Sequence, residues 1–365
     1  MPTFRYANPP VIHWGEGALR ELPAELDRAG ARRVLLVTTG SALSDDRLAP
    51  AVERAMAGRV AGRCTVPQHA PASSVMAASE AARAAGADAL VSLGGGSPID
   101  AAKAVAFVLA SGLDLRERDA PARARDVKLG TTLPHVALPT TLSAAELSSS
   151  AGFSAEGTRE KVGVGGPALG AAAVVYDAAL AVRTPLPLWL STGIRAVDHA
   201  VETLLAPGEH PLADAAALAG LRRLKEGLEA SHARPDDPAA RTACQLGAWH
   251  SYLLPGPAAR GLSHTLGKRL GSRHGIPHGV TSCLLLPHVL RHLQPRAPGP
   301  MARIAAALGS EDAAGGVAAL IASLGLPRHL AAWRLGEAEL RAAARPGPGA
   351  ELPEEVLLAI LRAAL

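Results

Sequence analysis

The sequence predicts an α/β domain with a parallel sheet over residues 1–183, followed by an all-α domain over residues 184–365. In the first part, short and continuously apolar strands alternate with helical stretches, which is typical of a parallel sheet covered on both faces. After residue 184 the strand signal ends, and prolines separate a series of helical stretches. The length of 365 residues also fits two cores better than one.

The elements of the first domain follow from local patterns. Three short apolar runs predict strands, at residues 33–37, 89–93 and 135–138. Alanine-rich stretches at 77–85 and 101–109 predict helices, because alanine has the highest helix propensity. In the second domain, helices are predicted at residues 189–205, 212–231, 238–254, 261–270, 301–308 and 354–364.

Composition excludes several classes of protein. The net charge of +4 comes from scattered arginines without a run of like charges, which argues against a nucleic-acid partner. Cys64, Cys244 and Cys283 have no metal-site spacing and suit a reducing compartment. The apolar run at 168–182 contains Asp177 and is too short to span a bilayer. A cytoplasmic protein without a membrane segment or a secretory signal is expected.

The strongest local motif is GGGSPID at residues 94–100, between a predicted strand and a predicted helix. Glycines allow a sharp turn and a close approach of the backbone to a ligand. Ser97 is predicted to cap the helix, with Pro98 at its first position and Asp100 completing a capping box. The start of such a helix offers N–H groups and a positive dipole end to a phosphate.

Extended to GGGSPIDAAKA at 94–104, this motif resembles the pyrophosphate-binding turn of the iron-containing (group III) alcohol dehydrogenases. Further family landmarks follow in order: LPTTLSAAE at 138–146, Lys161, GIRAVDHAVE at 193–202, His264 and PHG at 277–279. The spacing of the second landmark is most similar to the maleylacetate reductase branch. The resemblance implies the dehydroquinate synthase-like fold, in which a dinucleotide-binding α/β domain precedes a helical substrate domain.

The resemblance also implies NADH or NADPH as the cofactor. The residues at the corresponding positions are Thr39, Gly94, Gly95, Gly96, Ser97, Asp100, Thr140, Thr141 and Lys161. Lys103, at the end of the turn motif, is likewise expected on the cofactor side. Thr39 stands where NAD-preferring relatives tend to carry an aspartate for the ribose, so NADPH should be tolerated. Asp45 and Asp46 are alternative ribose contacts.

In metal-dependent members of the family, one aspartate and three histidines bind the catalytic ion. His199, His264 and His278 occupy the histidine positions, but the aspartate position is Arg195. A guanidinium offers no lone pair and repels a divalent ion, so a bound metal is not expected. Asp198, one residue before His199, is expected to point elsewhere on the helix.

Lys268, four residues after His264, is a second departure, because the family has a further histidine there. The hypothesis is that Arg195 replaces the ion's electrostatic role, binding a substrate carboxylate or polarising a carbonyl. His264, His199 or Lys268 would then supply the proton, and burial would lower the pKa of Lys268. Alternatively, Arg195 turns outward and pairs with an acid such as Glu202.

The leading interpretation is an NAD(P)H-dependent reductase of a small keto or enone substrate that carries a carboxylate, similar to maleylacetate reductase. The expected partner is this anionic small molecule, and relatives suggest a homodimer. A non-redox lyase, isomerase or condensing enzyme and a non-catalytic binding protein are alternatives. A metal-dependent alcohol dehydrogenase would need Glu146 or Glu202 as its fourth ligand.

Overall fold

The computed structural model describes residues 8–155, 161–253, 261–346 and 352–365, and the side chain of Lys161 also lies outside the described part. The described residues fall into two compact units. The first unit contains the residues up to Thr184 together with Asp236–Gln245. The second unit contains the remaining residues from Pro185 onward.

The first unit is built on a six-stranded sheet in which every neighbouring pair is parallel. Its strands, in spatial order, are β1 (Ile12–Gly15), β8 (Ala173–Asp177), β5 (His135–Pro139), β4 (Ala89–Gly94), β2 (Val34–Thr38) and β3 (Val60–Thr65). A separate antiparallel pair consists of β6 (Ser150–Ser154) and β7 (Lys161–Gly165). The predicted parallel sheet is confirmed, and the three predicted strands correspond to β2, β4 and β5.

Helices cover both faces of this sheet. They are α1 (Leu22–Arg28), α2 (Gly40–Leu43), α3 (Leu48–Ala55), α4 (Ala72–Ala84), α5 (Gly96–Ser111), α6 (Ala120–Asp126) and α7 (Ala178–Ala181). Because successive strand residues point to opposite faces, β2 contributes to two cores. Leu36 packs in a cluster with residues of α1 and α3. Leu35 packs with residues of α4 and α5. Both faces are therefore apolar, as the continuous strand runs predict.

The strand order creates a topological switch between β2 and β4. From β2 the chain moves outward to β3, and β4 then lies on the other side of β2. In open α/β sheets, ligands bind outside the carboxyl ends of the strands at such a point. Thr39 directly follows β2, Gly95 follows β4 and Thr140 follows β5. The fold thus brings three of the predicted cofactor positions to the edge where a ligand is expected.

The described chain from Pro185 onward contains helices and no strand, which confirms the helical second half. The helices are α8 (Leu186–Leu205), α9 (Pro211–Ala233), α10 (Pro238–Ser251), α11 (Leu262–His274), α12 (His278–Leu293), α13 (Pro298–Leu308), α14 (Ala313–Ser323), α15 (Glu337–Ala344) and α16 (Glu354–Ala363). Helix α8 packs against α9 and α12, and α12 also packs against α11 and α14. These contacts place α8, α11 and α12 side by side.

One stretch of the described chain, Pro298–Ser323, is long and apolar enough in composition to cross a membrane. It consists of α13 and α14, and Gly309, with a φ of 66°, ends the first of them after 11 residues. A bilayer needs about 20 residues of continuous helix. Since 56% of its apolar 18-residue window is also buried, we interpret it as a pair of core helices.

Replacing Gly279 with alanine is expected to lower the free energy of unfolding by about 1–3 kcal/mol. A Cβ at Gly279, in α12, would lie 2.6 Å from the carbonyl carbon and oxygen of Ser191 in α8. Backbone atoms cannot move aside, so the two helices would have to separate. Urea denaturation measures the loss. Gly299→Ala is the matched control, because nothing lies within 4 Å there; it should be neutral or stabilising, and equal losses would contradict the prediction.

Candidate functional site

The glycines of the turn after β4 allow close packing as well as backbone exposure. Gly94 has a φ of +136°, and a Cβ there would lie 2.9 Å from Cγ of Pro98. A Cβ on Gly95 would lie 3.1 Å from the side chain of Thr141. A Cβ on Gly96 would lie 3.2 Å from the hydroxyl oxygen of Ser143. Pro139, Thr140 and Thr141, which we call the P-T-T segment, and the residues just after them therefore pack directly on the start of α5, which only a run of glycines permits.

The predicted cap of α5 is wrong. The helix begins at Gly96, and Gly95, with extended backbone, is its N-cap residue and makes no side-chain cap bond. Ser97 instead accepts a hydrogen bond from the backbone N–H of His69 (3.1 Å). Asp100 accepts one from the N–H of Gly152 (3.1 Å). Because the N-cap residue Gly95 has no side chain with which to cap α5, the first N–H groups of the helix remain suited to a phosphate.

Lys103 lies inside the protein rather than on the cofactor side, which corrects the expectation for this residue. Its side chain is fully buried, and Nζ donates hydrogen bonds to the carbonyl oxygens of Ala145 (2.5 Å), Ser148 (2.6 Å) and Ser150 (3.3 Å). Burial lowers the pKa of Lys103. The ammonium ties α5 to the chain that follows the P-T-T segment, and so holds that segment in place.

The neighbouring strand ends complete this part of the site. Thr140 donates its N–H to the carbonyl oxygen of Gly94 (2.9 Å), and its own carbonyl accepts from the hydroxyl of Thr184 (2.6 Å). Thr39 caps α2 by accepting from the N–H of Ala42 (3.2 Å). Lys161 pairs with β6 through its backbone, and its predicted cofactor contact lies outside the described residues. Thr39, Gly94, Thr140 and Thr141 are thus neighbours, as the sequence predicts.

Asp45 is not available as a ribose contact. Its carboxylate accepts hydrogen bonds from the N–H groups of Arg47 and Leu48, each at 2.9 Å, and from the guanidinium of Arg183 at 2.8 Å. The hydrogen bond from Leu48 and the pairing with Arg183 lower the pKa of Asp45 to about 2. The carboxylate is therefore held by its own loop.

The second unit contains a hydrogen-bonded group of polar side chains that we call the Arg195 cluster, in which all members except the half-buried His264 are buried: Arg195, Asp198, Ser263, His264 and Ser282. Nη1 of Arg195 donates to Oδ2 of Asp198 (3.0 Å) and to the hydroxyl of Ser282 (3.1 Å). Nη2 donates to Nδ1 of His264. Oδ2 of Asp198 also accepts from the hydroxyls of Ser263 (2.9 Å) and Ser282 (2.7 Å). Arg195 is only 7% exposed.

Two expectations about this cluster are wrong. Arg195 does not turn outward to Glu202, since its guanidinium is buried beside Asp198. Asp198 does not point away from Arg195. It lies three residues after Arg195 on α8, and residues three apart on a helix lie on the same face. The charge of Arg195 is therefore balanced by a carboxylate. The hypothesis of an Arg195 whose charge stands in for the ion must therefore include the carboxylate of Asp198.

The three predicted histidines have different surroundings. His199 is buried, and its ring meets the edge of Tyr252 at a centroid distance of 4.9 Å and stacks with His264 at 6.3 Å. Burial, reinforced by the charge of Arg195, lowers the pKa of His199 well below its usual value. His278 is half-buried at the start of α12, where it packs at Gly271 of α11. The structure thus brings His199 and His264 together beside Arg195.

The chemistry of the side chains around Arg195 does not fit a divalent metal ion. Nδ1 of His264 already accepts from a guanidinium, so its lone pair is not available to a metal. Of the two alternative ligands, Glu146 accepts from the hydroxyl of Tyr176 (2.6 Å) within the first unit, and Glu202 accepts from the N–H of His264 (2.9 Å). Within the described ranges, no group of three or more His, Cys, Asp or Glu side chains is placed to hold a metal.

The burial expected for Lys268 is wrong, because its side chain is exposed. It lies on α11 four residues after His264, and therefore on the same helix face one turn further along. An exposed ammonium at this position is suited to contact an anion rather than to act as a buried acid.

The sequence suggests Glu202 as a metal ligand or as an ion-pair partner of Arg195, but in the structure it organises the start of α11. Its Oε1 accepts from the N–H of His264, and the N–H of Gly261 also bonds to this carboxyl. Burial, together with the nearby charge of Asp198, raises the pKa of Glu202 to about 8. The folded protein therefore holds a proton on Glu202 that the unfolded chain releases above its usual pKa of about 4.3.

The stability of the protein should consequently fall as the pH rises from about 5 to 8. In this range the folded state binds one more proton at Glu202 than the unfolded state, which corresponds to up to about 1.4 kcal/mol per pH unit. The contribution is fully present below the unfolded pKa and is lost as the pH passes through the folded pKa. Glu202→Gln keeps the acceptor oxygen without the titration, so urea denaturation across this range should show a flatter slope. Parallel slopes in both proteins would contradict this.

The comparisons with known proteins cover almost the whole chain. Family models for the iron-containing alcohol dehydrogenases match residues 9–178 and, for the C-terminal domain, residues 189–352. A maleylacetate reductase from Rhizobium sp. (strain MTP-10005) is 31% identical, with 94% of this chain and 91% of the relative covered. Maleylacetate reductase 2 from Cupriavidus pinatubonensis is 34% identical over 87% of this chain and 81% of the relative.

A solved structure of maleylacetate reductase from Agrobacterium tumefaciens superimposes with a TM-score of 0.84 at 30% identity, covering 100% of this chain and 99% of the other. Sequence, fold and the order of the motifs thus agree. The chain belongs to the iron-containing alcohol dehydrogenase family and, within it, to the maleylacetate reductase branch, and it is a nicotinamide-dependent reductase.

Proposed function

We propose that this protein reduces a small keto or enone substrate that carries a carboxylate, and that it does so without a bound metal. The proposal rests on the hydrogen bond from the guanidinium of Arg195 to His264. Arg195 stands at the position at which metal-dependent relatives carry an aspartate ligand. The similarity to several maleylacetate reductases supports an anionic substrate of this size. Maleylacetate itself is the first compound to test.

The chemistry requires a group that stabilises negative charge on oxygen. When bound, the reduced nicotinamide supplies a hydride. Hydride addition to a carbonyl carbon, or to the β-carbon of an enone, leaves the negative charge on the carbonyl oxygen. The pair of Arg195 and His264 provides hydrogen-bond donors and a positive charge for that oxygen. A proton then completes the reduction.

Lys268 is the candidate for the substrate carboxylate and for this proton. Its ammonium is exposed and lies one turn from His264 on the same face of α11. His199 is less suited to deliver the proton, because its lowered pKa keeps it unprotonated near neutrality. A charge-assisted hydrogen bond from Lys268 would orient a carboxylated substrate.

Both NADPH and NADH are expected to bind. Thr39 follows β2 without a carboxylate, and Asp45 is held by Arg183 and by its own loop. A 2′-phosphate therefore meets no carboxylate at Thr39, and the negative charge of Asp45 is paired with Arg183. Fluorescence titration of the purified protein with both nucleotides measures the preference.

The decisive experiment follows the oxidation of NADPH and NADH by metal-analysed protein with maleylacetate and with its methyl esters. Turnover of the free acid but not of the esters supports the proposal. Nucleotide binding without turnover would direct the search to other carboxylated carbonyl compounds. If neither nucleotide bound, a non-redox reaction of the same fold would become the better interpretation.

Lys268→Met is expected to raise KM for the acid about tenfold, because a charge-assisted hydrogen bond is lost. The kcat should fall as well if Lys268 also supplies the proton. Lys225→Met is the matched control: Lys225 is a partly exposed lysine of α9 that pairs with Glu229. An unchanged KM in Lys268→Met would remove Lys268 from substrate binding.

We also propose a cytoplasmic homodimer that binds neither nucleic acid nor membranes. The three cysteines, Cys64, Cys244 and Cys283, all lie in the described part of the chain and form no disulfide there, as in proteins of a reducing compartment. The dimer is proposed from the resemblance to the family. Light scattering coupled to gel filtration measures the mass in solution.

A further inference from the structure

The Arg195 cluster connects three helices through hydrogen bonds. Arg195 and Asp198 belong to α8, Ser263 and His264 to α11, and Ser282 to α12. A single carboxylate oxygen, Oδ2 of Asp198, accepts from all three helices at distances of 2.7–3.0 Å. Because Asp198 is fully buried, this oxygen cannot exchange its partners for bulk water. The position of the guanidinium is therefore set by Asp198.

The bond between Arg195 and His264 determines where the imidazole carries its proton. A guanidinium has five N–H donors and no acceptor. Nδ1 of His264 must therefore act as the acceptor in this hydrogen bond, with its lone pair directed at Nη2. The proton of the imidazole consequently resides on Nε2, on the opposite side of the ring.

We propose that Asp198 is a positioning residue for catalysis: with Ser263 and Ser282 it holds Arg195 on Nδ1 of His264, so that His264 offers its Nε2–H to the substrate oxygen that becomes negative. This inference rests on the proposed reductase function. It assigns His264 a different role from that of a proton donor. The imidazole stabilises charge by hydrogen bonding, and it keeps its proton.

The reaction balances without proton transfer from His264. The hydride of NAD(P)H forms the new C–H bond, and the π electrons of the carbonyl, or of the conjugated enone, move onto oxygen. The Nε2–H donates a hydrogen bond to that oxygen while the charge develops. NAD(P)⁺ is released, and solvent or the ammonium of Lys268 supplies the proton that completes the product.

A purely structural role for Asp198 is the alternative, because a buried carboxylate also neutralises Arg195. That role predicts a loss of stability when Asp198 is replaced, but no change in the tautomer of His264. The tautomer can be read directly from the ¹⁵N chemical shifts of the ring, and this measurement needs no substrate and no activity. A failure of the positioning role is thereby separated from a failure of the proposed function.

The first experiment is ¹⁵N NMR of protein labelled at histidine, with the His264 signals assigned by their loss in His264→Gln. The wild-type protein should show the Nε2–H tautomer of His264. Asp198→Ala should shift the ring to a mixture of tautomers, and Asp198→Asn, which retains an acceptor oxygen, should lie between the two. A pure Nε2–H tautomer in Asp198→Ala, or an Nδ1–H tautomer in the wild type, would overturn the proposal.

The second experiment compares kcat and KM in the same variants. Asp198→Ala should lower kcat about a hundredfold with a smaller change in KM, in line with the loss of a preorganised hydrogen-bond donor. Asp198→Asn should recover part of kcat. The Kd of NADPH should not change, because the nucleotide-binding turn is formed within the first unit.

Asp214→Asn is the matched control, since Asp214 pairs with Arg303 at 2.9 Å in a more exposed position of the same unit. It should leave both kcat and the tautomer unchanged. If Asp198→Ala does not fold, Asp198→Asn and Ser282→Ala provide the same readouts. A kcat that remains at the wild-type level in all folded variants would contradict the positioning role.

Discussion

Arg195→Met is expected to lower kcat by about a hundred- to a thousandfold and to lower the free energy of unfolding by about 3–5 kcal/mol. The kinetic loss follows because the positive charge beside His264 is removed. The loss of stability follows because Asp198, which is fully buried, loses the cationic partner that compensates its burial. Steady-state kinetics and urea denaturation measure the two effects.

The double variant Arg195→Met/Asp198→Leu separates them. Replacing both members of a buried ion pair by apolar side chains is often neutral or stabilising, so most of the stability should return. The kcat should remain low, because no guanidinium contacts His264. Recovery of kcat together with stability would show that Arg195 serves the fold alone. Arg303→Met, which breaks the more exposed pair with Asp214, should have a small effect on both.

Gly94→Ala is expected to weaken the binding of NADPH and NADH at least about tenfold. An alanine is strained at a φ of +136°, and its Cβ would lie 2.9 Å from Pro98 at the start of α5. A shift of the turn moves the N–H groups that a phosphate needs, and tenfold in Kd corresponds to only about 1.4 kcal/mol. Gly130→Ala, with nothing within 4 Å, should bind both nucleotides normally. Normal binding by Gly94→Ala would show that the turn does not hold the dinucleotide.

Three of the four central strands, β2, β4 and β5, could be predicted from sequence, but the central strand β8 and the two edge strands were not predicted. β2, β4 and β5 are buried along their entire length, and their continuous apolar runs are recognisable by themselves. β1 and β3 are only partly buried and include polar residues such as His13 and Arg63. Their pairing depends on neighbours that are distant in sequence. The local pattern alone therefore does not distinguish them from loops.

The same limit explains the corrections in the site. Ser97 accepts its hydrogen bond from the N–H of His69, and Lys103 donates its hydrogen bonds to residues more than forty positions later in the chain. A motif read locally could not show these partners. Asp198 is different, because its spacing of three from Arg195 on one helix was available in the sequence. Ser263 and Ser282 could be recognised only after α11 and α12 were seen beside α8.

Catalysis without a metal is tested most directly by measuring metal content and turnover on the same sample. Purified protein should be treated with a strong chelator and desalted, its iron and zinc quantified, and maleylacetate reduction then followed with NADPH. We expect full kcat with far less than one metal per chain, and no gain on adding Fe²⁺ or Zn²⁺. Loss of activity on chelation, restored by one equivalent of either ion, would contradict the replacement of the ion by Arg195.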